Sequence, residues 1–230
     1  MATLFTVATP IGNRQDITIR ALEILERVPL VLAEDTRQAR KLFSLYPESE
    51  FAAQVLRLDE HVVGDRLAKV VDQIADGADA ALISDAGTPQ VSDPGHLLIQ
   101  ECLKRGIAIV PIPGPSAATA LMSVADFPIQ PMVFYGFLPK KKGRETSLKR
   151  LKEMSGKYGV ASVLIYESPE RVVRTLTDLQ TQFGSETHVV VGRELTKQYE
   201  EIWHGSVAQA LTHFDTPRGE FAILVQLPAR

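Results

Sequence analysis

The sequence predicts an α/β protein built from two α/β domains, over residues 1–113 and 114–230. Three observations lead to this class. Short apolar runs alternate with longer amphipathic ones, a Pro- and Gly-rich break lies near the middle of the chain, and the alternation resumes after the break. We expect a mostly parallel sheet in the first domain and a mixed sheet in the second.

Apolar runs in the first domain indicate buried strands, because they are rich in β-branched residues or almost unbroken. These runs span residues 4–8, 30–33, 80–84 and 107–112. Helical periodicity lies between them at 17–28, 66–75 and 97–104, and Gly106 follows the last helix as its expected C-cap.

The break between the domains lies at residues 110–116, where three prolines and a glycine fall within seven residues. This segment can neither continue a strand nor begin a helix before Ser116, which is a good N-cap for a helix over 117–125. Strands are then expected at 132–137, 162–166, 188–191 and 221–227, with helices at about 144–158, 170–183 and 207–214. Ser168 is expected to cap the helix that begins with Pro169 and Glu170.

The composition is that of a soluble globular protein: of 230 residues, 45% are hydrophobic and 23% are charged. It excludes a disordered or collagen-like chain. The single cysteine and five scattered histidines predict no disulfide and no metal site. No apolar run has the ~18–20 residues of a membrane span. The first residues lack the features of a signal peptide, so we expect a cytoplasmic protein without a membrane partner.

Positive charge is concentrated in one segment of this chain of net charge −3. Residues 140–152 hold seven basic groups, among them Lys140, Lys141, Lys142 and Arg144, against the one acid Glu145. The segment predicts either an anion-binding patch or a solvated loop and helix face.

Small and polar residues follow predicted strands in four loops, at 8–13, 33–37, 84–89 continuing to 92–95, and 113–117. Ligands of open α/β sheets bind at the carboxyl ends of the strands. Turns need the same residue types, but four such loops at one edge favour a binding site.

Several nucleotide and hydrolase sites are excluded by missing motifs. The sequence has no Gly-x-Gly-x-x-Gly after the first strand, no P-loop and no Gly-x-Ser-x-Gly elbow. A non-metal small-molecule site built from backbone amides and prolines remains.

The loop sequences belong to an ordered set of motifs that runs from end to end of the chain. They are VATPIGN at 7–13, DIT at 16–18, RAL at 20–22, AEDTR at 33–37, SDAGTP at 84–89, SDPG at 92–95, PGPSA at 113–117, GFLP at 136–139, YESP at 166–169 with Arg171, RELTK at 193–197 with Glu200, and GE at 219–220. With this set the sequence resembles the tetrapyrrole methylase superfamily, the class III S-adenosylmethionine-dependent methyltransferases. Within it, the resemblance is to members that methylate the ribose 2′-hydroxyl of a cytidine in 16S rRNA.

The resemblance implies that S-adenosylmethionine binds in a cleft between the two domains. The residues it implies as cofactor contacts are Thr9, Pro10, Asp85, Ala86, Gly87, Thr88, Ser116, Ala117, Tyr166 and Ala222. Structural alternatives stay open for two of them, since Asp85 could form an Asx turn and Ser116 could act only as a cap. The implied partners are 16S rRNA or the small ribosomal subunit and a second copy of the chain in a homodimer.

Methyl transfer to a ribose hydroxyl requires in-line geometry and a group that accepts the proton. The candidate bases are Glu34, Asp35, Glu167 and Glu194, with Lys197 as a further candidate if it is desolvated. The sequence does not choose among them. Arg37, Arg171 and Arg193 each lie near an acid, as structural ion pairs or as phosphate clamps. Lys140, Lys141, Lys142 and Arg144 are the expected RNA contacts.

Two other functions stay open. One keeps the fold and methylates a tetrapyrrole or a protein residue, and the other is a non-catalytic RNA- or ribosome-binding module. The basic segment favours RNA over an acidic macrocycle, and the retained cofactor loops favour an enzyme. We assign Cys102 to the core and Trp203 to packing at a domain or dimer surface, with base stacking as the alternative for Trp203.

Overall fold

The computed structural model describes residues 2–59 and 61–228, which fold into two compact units. One unit ends at Ser116 and the other begins at Ala117. No helix within the described residues is long and apolar enough to cross a membrane.

The first unit contains a parallel sheet, as expected from its alternating strands and helices. Within the described part of this unit the strand order is β3-β2-β4-β1-β5, and every neighbouring pair is parallel. The strands are β1 (Thr3–Val7), β2 (Leu30–Ala33), β3 (Gln54–Arg57), β4 (Ala80–Ile83) and β5 (Ala108–Ile112). Because all strands run the same way, their carboxyl ends meet at one edge.

Helices cover both faces of this sheet. They are α1 (Ile19–Arg27), α2 (Thr36–Ser44), α3 (Asp65–Ala75) and α4 (His96–Lys104). Separate apolar clusters lie on the two faces, one around Leu4, Leu82 and the fully buried Cys102, the other around Val7 and Leu25. The packing assignment of Cys102 is therefore confirmed.

One strand and one α-helix of the first unit were not predicted, for physical reasons that the structure makes clear. Strand β3 is an edge strand with exposed ends and half-buried central residues, so it lacks a strong apolar pattern. Helix α2 is mostly polar and buries only Ala39 among its described residues.

The second unit contains a mixed sheet, as expected. Its described strands have the order β6-β7-β10-β8-β9, in which only the β6–β7 pair is parallel. The strands are β6 (Met132–Phe137), β7 (Ser162–Glu167), β8 (His188–Arg193), β9 (Glu201–Ser206) and β10 (Phe221–Gln226). Edge strand β9 was not predicted, because its residues are only partly buried and include a glycine.

The helices of the second unit are α5 (Ala117–Met122), α6 (Arg144–Tyr158), α7 (Pro169–Phe183) and α8 (Val207–His213). Apolar residues of α6, α7 and α8 pack on Val163, Ile165 and Ile223 of the sheet. One local expectation is wrong. Among the described residues, the Ser168 side chain makes no capping hydrogen bond to α7, and its backbone N–H donates to Glu167 Oε1 at 3.0 Å.

Candidate active site

Three of the predicted loops are joined at the carboxyl edge of the parallel sheet. Strand β1 lies between β4 and β5, so the loops that follow these strands are neighbours. Thr9 and Gly87 exchange two backbone hydrogen bonds of 2.9 Å. The Thr88 hydroxyl donates to the Pro115 carbonyl at 3.1 Å. We call residues 9–10, 85–88 and 113–116 the loop platform.

Two glycines allow the loop platform to pack closely. Gly87 has φ +77°, a conformation that L side chains rarely adopt. A Cβ built on Gly114 would lie only 2.9 Å from the Cβ of Ala8. A side chain at Gly87 would strain the backbone, and one at Gly114 would push its loop away from Ala8.

The side chains of the loop platform differ in how far they are available to a ligand. Thr9 is buried, and its hydroxyl donates to the Ser84 carbonyl at 3.3 Å. Asp85 and Ala86 are exposed, whereas Pro10 and Ser116 are half-buried. Ala117 is half-buried at the start of α5 in the second unit.

Asp35 and Arg37 hold the start of α2. Asp35 accepts the Arg37 backbone N–H at 2.8 Å and pairs with its guanidinium at 2.7 Å. The side-chain hydrogen bond from Arg37 lowers the pKa of Asp35 to about 2. A carboxylate of such low basicity is a poor proton acceptor, so the structure argues against Asp35 as the base.

An acidic group lies at the ends of β2 and β4, formed by Glu34, Asp85 and Asp93. Desolvation, followed by the charges of Glu34 and Asp85, raises the pKa of Asp93 to about 6, although a hydrogen bond with Ser84 opposes the shift. The Asp35 N–H donates to Asp85 Oδ1 at 3.2 Å, which joins the two loops. Asp93 was not a predicted site residue, although its SDPG motif was among the loops. Only the fold shows that it lies near two other acids.

Tyr166 and Ala222 are direct partners across the β7–β10 pair of the second unit. Tyr166 contacts two aromatic rings of β6, with centroid distances of 5.2 Å to Phe134 and 5.9 Å to Phe137. Phe137 is 54% exposed, which is unusual for so large an apolar side chain.

Glu167 and Arg144 lie in a buried ionic network. This differs from the sequence prediction, in which Glu167 is a candidate base and Arg144 an RNA contact. Glu167 is 2% exposed; its Oε2 accepts the Thr175 hydroxyl at 2.6 Å, and its Oε1 pairs with Arg171 at 2.5 Å. Arg144 is 3% exposed and binds Asp178 at 2.6 Å and the Thr175 hydroxyl at 2.7 Å. Their assignments as a candidate base and an RNA contact are corrected, because both side chains are enclosed and engaged.

Arg171 has one guanidinium nitrogen left over from this network. Among the described residues, its Nη2 is buried and has no hydrogen-bond partner. A buried donor without an acceptor costs about 1–3 kcal/mol. This nitrogen is a donor suited to an anionic or carbonyl oxygen, and it is enclosed by protein.

Glu194, Lys197 and Glu220 form a second ionic cluster. Lys197 Nζ lies 3.0 Å from Glu194 Oε1 and 2.8 Å from Glu220 Oε2. Desolvation would raise the pKa of Glu194, but the Glu220 N–H and Lys197 outweigh it and lower that pKa. Desolvation would likewise lower the pKa of Lys197, but its two carboxylate partners raise it. Lys197 therefore stays protonated, which argues against it as a base.

Two further arginines are also engaged locally. Arg193 donates to the Arg218 carbonyl at 2.7 Å and to Glu201 Oε2 at 3.3 Å. Arg37, the other arginine predicted beside an acid, has an exposed side chain despite its pair with Asp35. Of the two, Arg37 is better placed to meet a phosphate.

The basic segment divides into exposed and buried parts. Lys140, Lys141 and Lys142 are exposed in the loop between β6 and α6. They follow the exposed ring of Phe137, whereas Arg144 is buried. We call 137–142 the basic loop.

The histidines are less scattered than the sequence suggested. His188 and His204 both lie beside Asp126 in the second unit, which corrects the premise behind the prediction of no metal site. Trp203 is partly buried, stacks on His213 with centroids 5.7 Å apart and packs against the apolar core of the second unit.

The comparisons with known proteins agree on the family. The model of the tetrapyrrole (corrin/porphyrin) methylases matches residues 3–211. A ribosomal RNA small subunit methyltransferase I of Thermotoga maritima is 39% identical over 227 residues, covering 98% of each chain. A protein of the same name from Mesorhizobium japonicum is 41% identical over 226 residues, covering 96% of this chain and 74% of its own.

Solved structures of similar fold include methyltransferases. The methyltransferase CobJ has a TM-score of 0.71 and 18% identity, with 99% of this chain and 95% of that chain covered. The uroporphyrin-III-C-methyltransferase of Thermus thermophilus has a TM-score of 0.64 and 15% identity, covering 98% and 94%. At such identities the likeness shows the fold alone, and the fold class predicted from the sequence is confirmed.

Proposed function

The chain belongs to the tetrapyrrole (corrin/porphyrin) methylase family, and on that premise we propose that it methylates RNA of the small ribosomal subunit with S-adenosylmethionine. The observation that carries this proposal is an identity of 39–41% to relatives named ribosomal RNA small subunit methyltransferase I, over 96–98% of the chain. More specifically, we propose that the methyl acceptor is the ribose 2′-hydroxyl of a cytidine in 16S rRNA. We also propose that the chain acts in the cytoplasm as a homodimer.

The loop platform fits a small ligand that backbone groups hold closely. Gly87 and Gly114 keep side chains out of the tightest points of these loops, and the exposed Asp85 offers an acceptor. When bound, S-adenosylmethionine supplies an electrophilic methyl group on a sulfonium. The negative charge of Glu34, Asp85 and Asp93 favours a cationic ligand nearby. Thr9, Pro10, Ala86, Thr88, Ser116 and Ala117, together with Tyr166 and Ala222, complete the proposed cofactor set.

Asp93, with Glu34 beside it, is our proposed acceptor for the ribose proton. General bases work best when their pKa lies near the operating pH, and burial beside Glu34 and Asp85 raises the pKa of Asp93 to about 6. By contrast, the pKa values of Asp35 and Glu194 are lowered by their cationic and N–H partners. The proton of the hydroxyl would pass to a carboxylate oxygen of Asp93 as the methyl group is transferred.

The basic loop is our proposed RNA contact. Three exposed lysines suit the phosphate backbone, and the exposed ring of Phe137 offers a face on which a base can stack. Single-stranded RNA is commonly bound by this combination of positive charge and aromatic rings. Arg37, exposed in the first turn of α2, could clamp a phosphate in the same substrate.

A methyl-transfer assay tests the substrate class. The purified protein is incubated with methyl-labelled S-adenosylmethionine and, in separate reactions, small ribosomal subunits, protein-free 16S rRNA or uroporphyrinogen III. We expect label in the RNA fraction and none in the tetrapyrrole, since the 39–41% identical relatives are named for rRNA. Comparison of the first two reactions shows whether the assembled particle is needed. Label in the tetrapyrrole, or none in any acceptor, would overturn the proposal.

A further inference from the structure

Three metal-ligand side chains meet in the second unit, apart from the groups assigned to methyl transfer. His188 Nε2 lies 2.9 Å from both carboxylate oxygens of Asp126. His204 Nδ1 lies 3.4 Å from Asp126 Oδ1. The ligand atoms of all three residues lie within 4.8 Å of one another. Their side chains are 47%, 31% and 35% exposed for Asp126, His188 and His204, so that an ion can reach them from solvent.

The fold itself brings these residues together. In the antiparallel β8–β9 pair, His188 is opposite Ser206 and His204 is opposite Val190. The two histidines are therefore diagonal neighbours on one face of the sheet. Helix α5 packs on β8 and β10, and Asp126 follows shortly after that helix.

From this arrangement we propose a binding site for a divalent transition metal of the zinc type, with Asp126, His188 and His204 as ligands. Zn²⁺ binds imidazole nitrogen and carboxylate oxygen at about 2.0–2.2 Å, and its tetrahedral ligands then lie about 3.3 Å apart. The observed 2.9 Å and 3.4 Å lie on either side of that spacing. Imidazole ligands suit Zn²⁺, Ni²⁺ or Co²⁺, whereas Mg²⁺ and Ca²⁺ prefer oxygen alone.

The position of the site indicates a structural role. His188 begins β8, and Arg193, near the Glu194 cluster, ends it. At about 3.3 Å per residue these ends lie about 16 Å apart, too far for the metal to contact groups beyond the end of the strand. The ion would instead clamp the segment after α5 to the β8–β9 pair, and it would stabilise the folded chain by mass action.

Metal titration of the full chain, purified without a histidine tag and stripped with chelator, tests this site. We expect one equivalent of Co²⁺ to bind and give visible d–d absorption, Zn²⁺ to displace it, and Zn²⁺ to raise the Tm. The double variant H188Q/H204Q should lose all three effects. The control H213Q should keep them, because His213 pairs only with the single carboxylate of Glu201 among the ion pairs of the described chain.

The Tm of each variant in chelator shows whether it is folded, which separates loss of the site from loss of structure. If H188Q/H204Q does not fold, the D126N variant replaces it in the same titration. Absence of stoichiometric binding by the wild-type chain would overturn the proposal. Equal metal binding by the wild type and by a folded H188Q/H204Q or D126N variant would also overturn it.

Discussion

Replacing Asp93 by asparagine should lower kcat by about 10²–10⁴-fold, the usual contribution of a general base. The same variant should be more stable than the wild type at pH 7. Burial and the neighbouring acids raise the pKa of Asp93 to about 6. The ionised side chain at pH 7 therefore lowers the free energy of unfolding. Since Asp93 is half-buried and partly screened by solvent, we expect a gain of about 1 kcal/mol.

The pH dependence of stability and of kcat separates the structural effect of D93N from its catalytic effect. The folded state holds the Asp93 proton between about pH 4 and pH 6, where the unfolded state has lost it, so the wild type loses stability as pH rises through this window. The gain in D93N should therefore be present at pH 7 and absent at pH 3. Wild-type kcat should fall as pH drops below about 6, because the base becomes protonated. D76N, at an exposed carboxyl of α3's C-cap, is the matched control for both measurements. Near wild-type kcat in D93N would rule out Asp93 as the base.

Arg144→Ala should lower the free energy of unfolding by about 3–5 kcal/mol, the typical cost of removing one partner from a buried ion pair. The change removes the guanidinium 3.9 Å from Glu167, which keeps only Arg171 as a cation, and it leaves Asp178 without its partner at 2.6 Å. Urea unfolding of the wild type and the variant measures the difference as a shift in midpoint.

The exposed lysines of the basic loop should behave differently from the buried Arg144. A K140A/K141A/K142A variant should unfold close to the wild type, because exposed substitutions change stability by about 0.5 kcal/mol or less. It should bind substrate RNA more weakly, with a salt dependence shallower by about 0.7–0.9 in log–log slope for each phosphate that the lysines no longer neutralise. If R144A kept full stability and weakened RNA binding as the lysine variant does, the buried network would not be its role.

Much of the architecture could be predicted from local patterns. Strand β6 has the bounds expected from its apolar residues, and the two units divide between Ser116 and Ala117, just after the Pro-Gly-Pro segment. The missed elements β3, β9 and α2 are those whose residues are only partly buried. Their patterns are weak because an edge strand or a polar helix needs few apolar side chains.

The site was less predictable, because its properties depend on residues distant in the chain. The four basic residues at 140–142 and 144 look alike in the sequence. In the structure, however, Arg144 pairs with Asp178, 34 residues away. The pKa of Asp93 is raised by Glu34 and Asp85 from other loops. His188 and Asp126 are 62 residues apart, so only the folded second unit shows them as neighbours.

Mass spectrometry of 16S rRNA nucleosides from a strain with the gene deleted, and from the same strain with the gene restored, tests the proposed function most directly. We predict that one 2′-O-methylcytidine is lost on deletion, returns with the wild-type gene, and does not return with D93N. An unchanged nucleoside profile after deletion would contradict rRNA methylation by this chain. Loss of a base-methylated nucleoside instead would contradict ribose methylation.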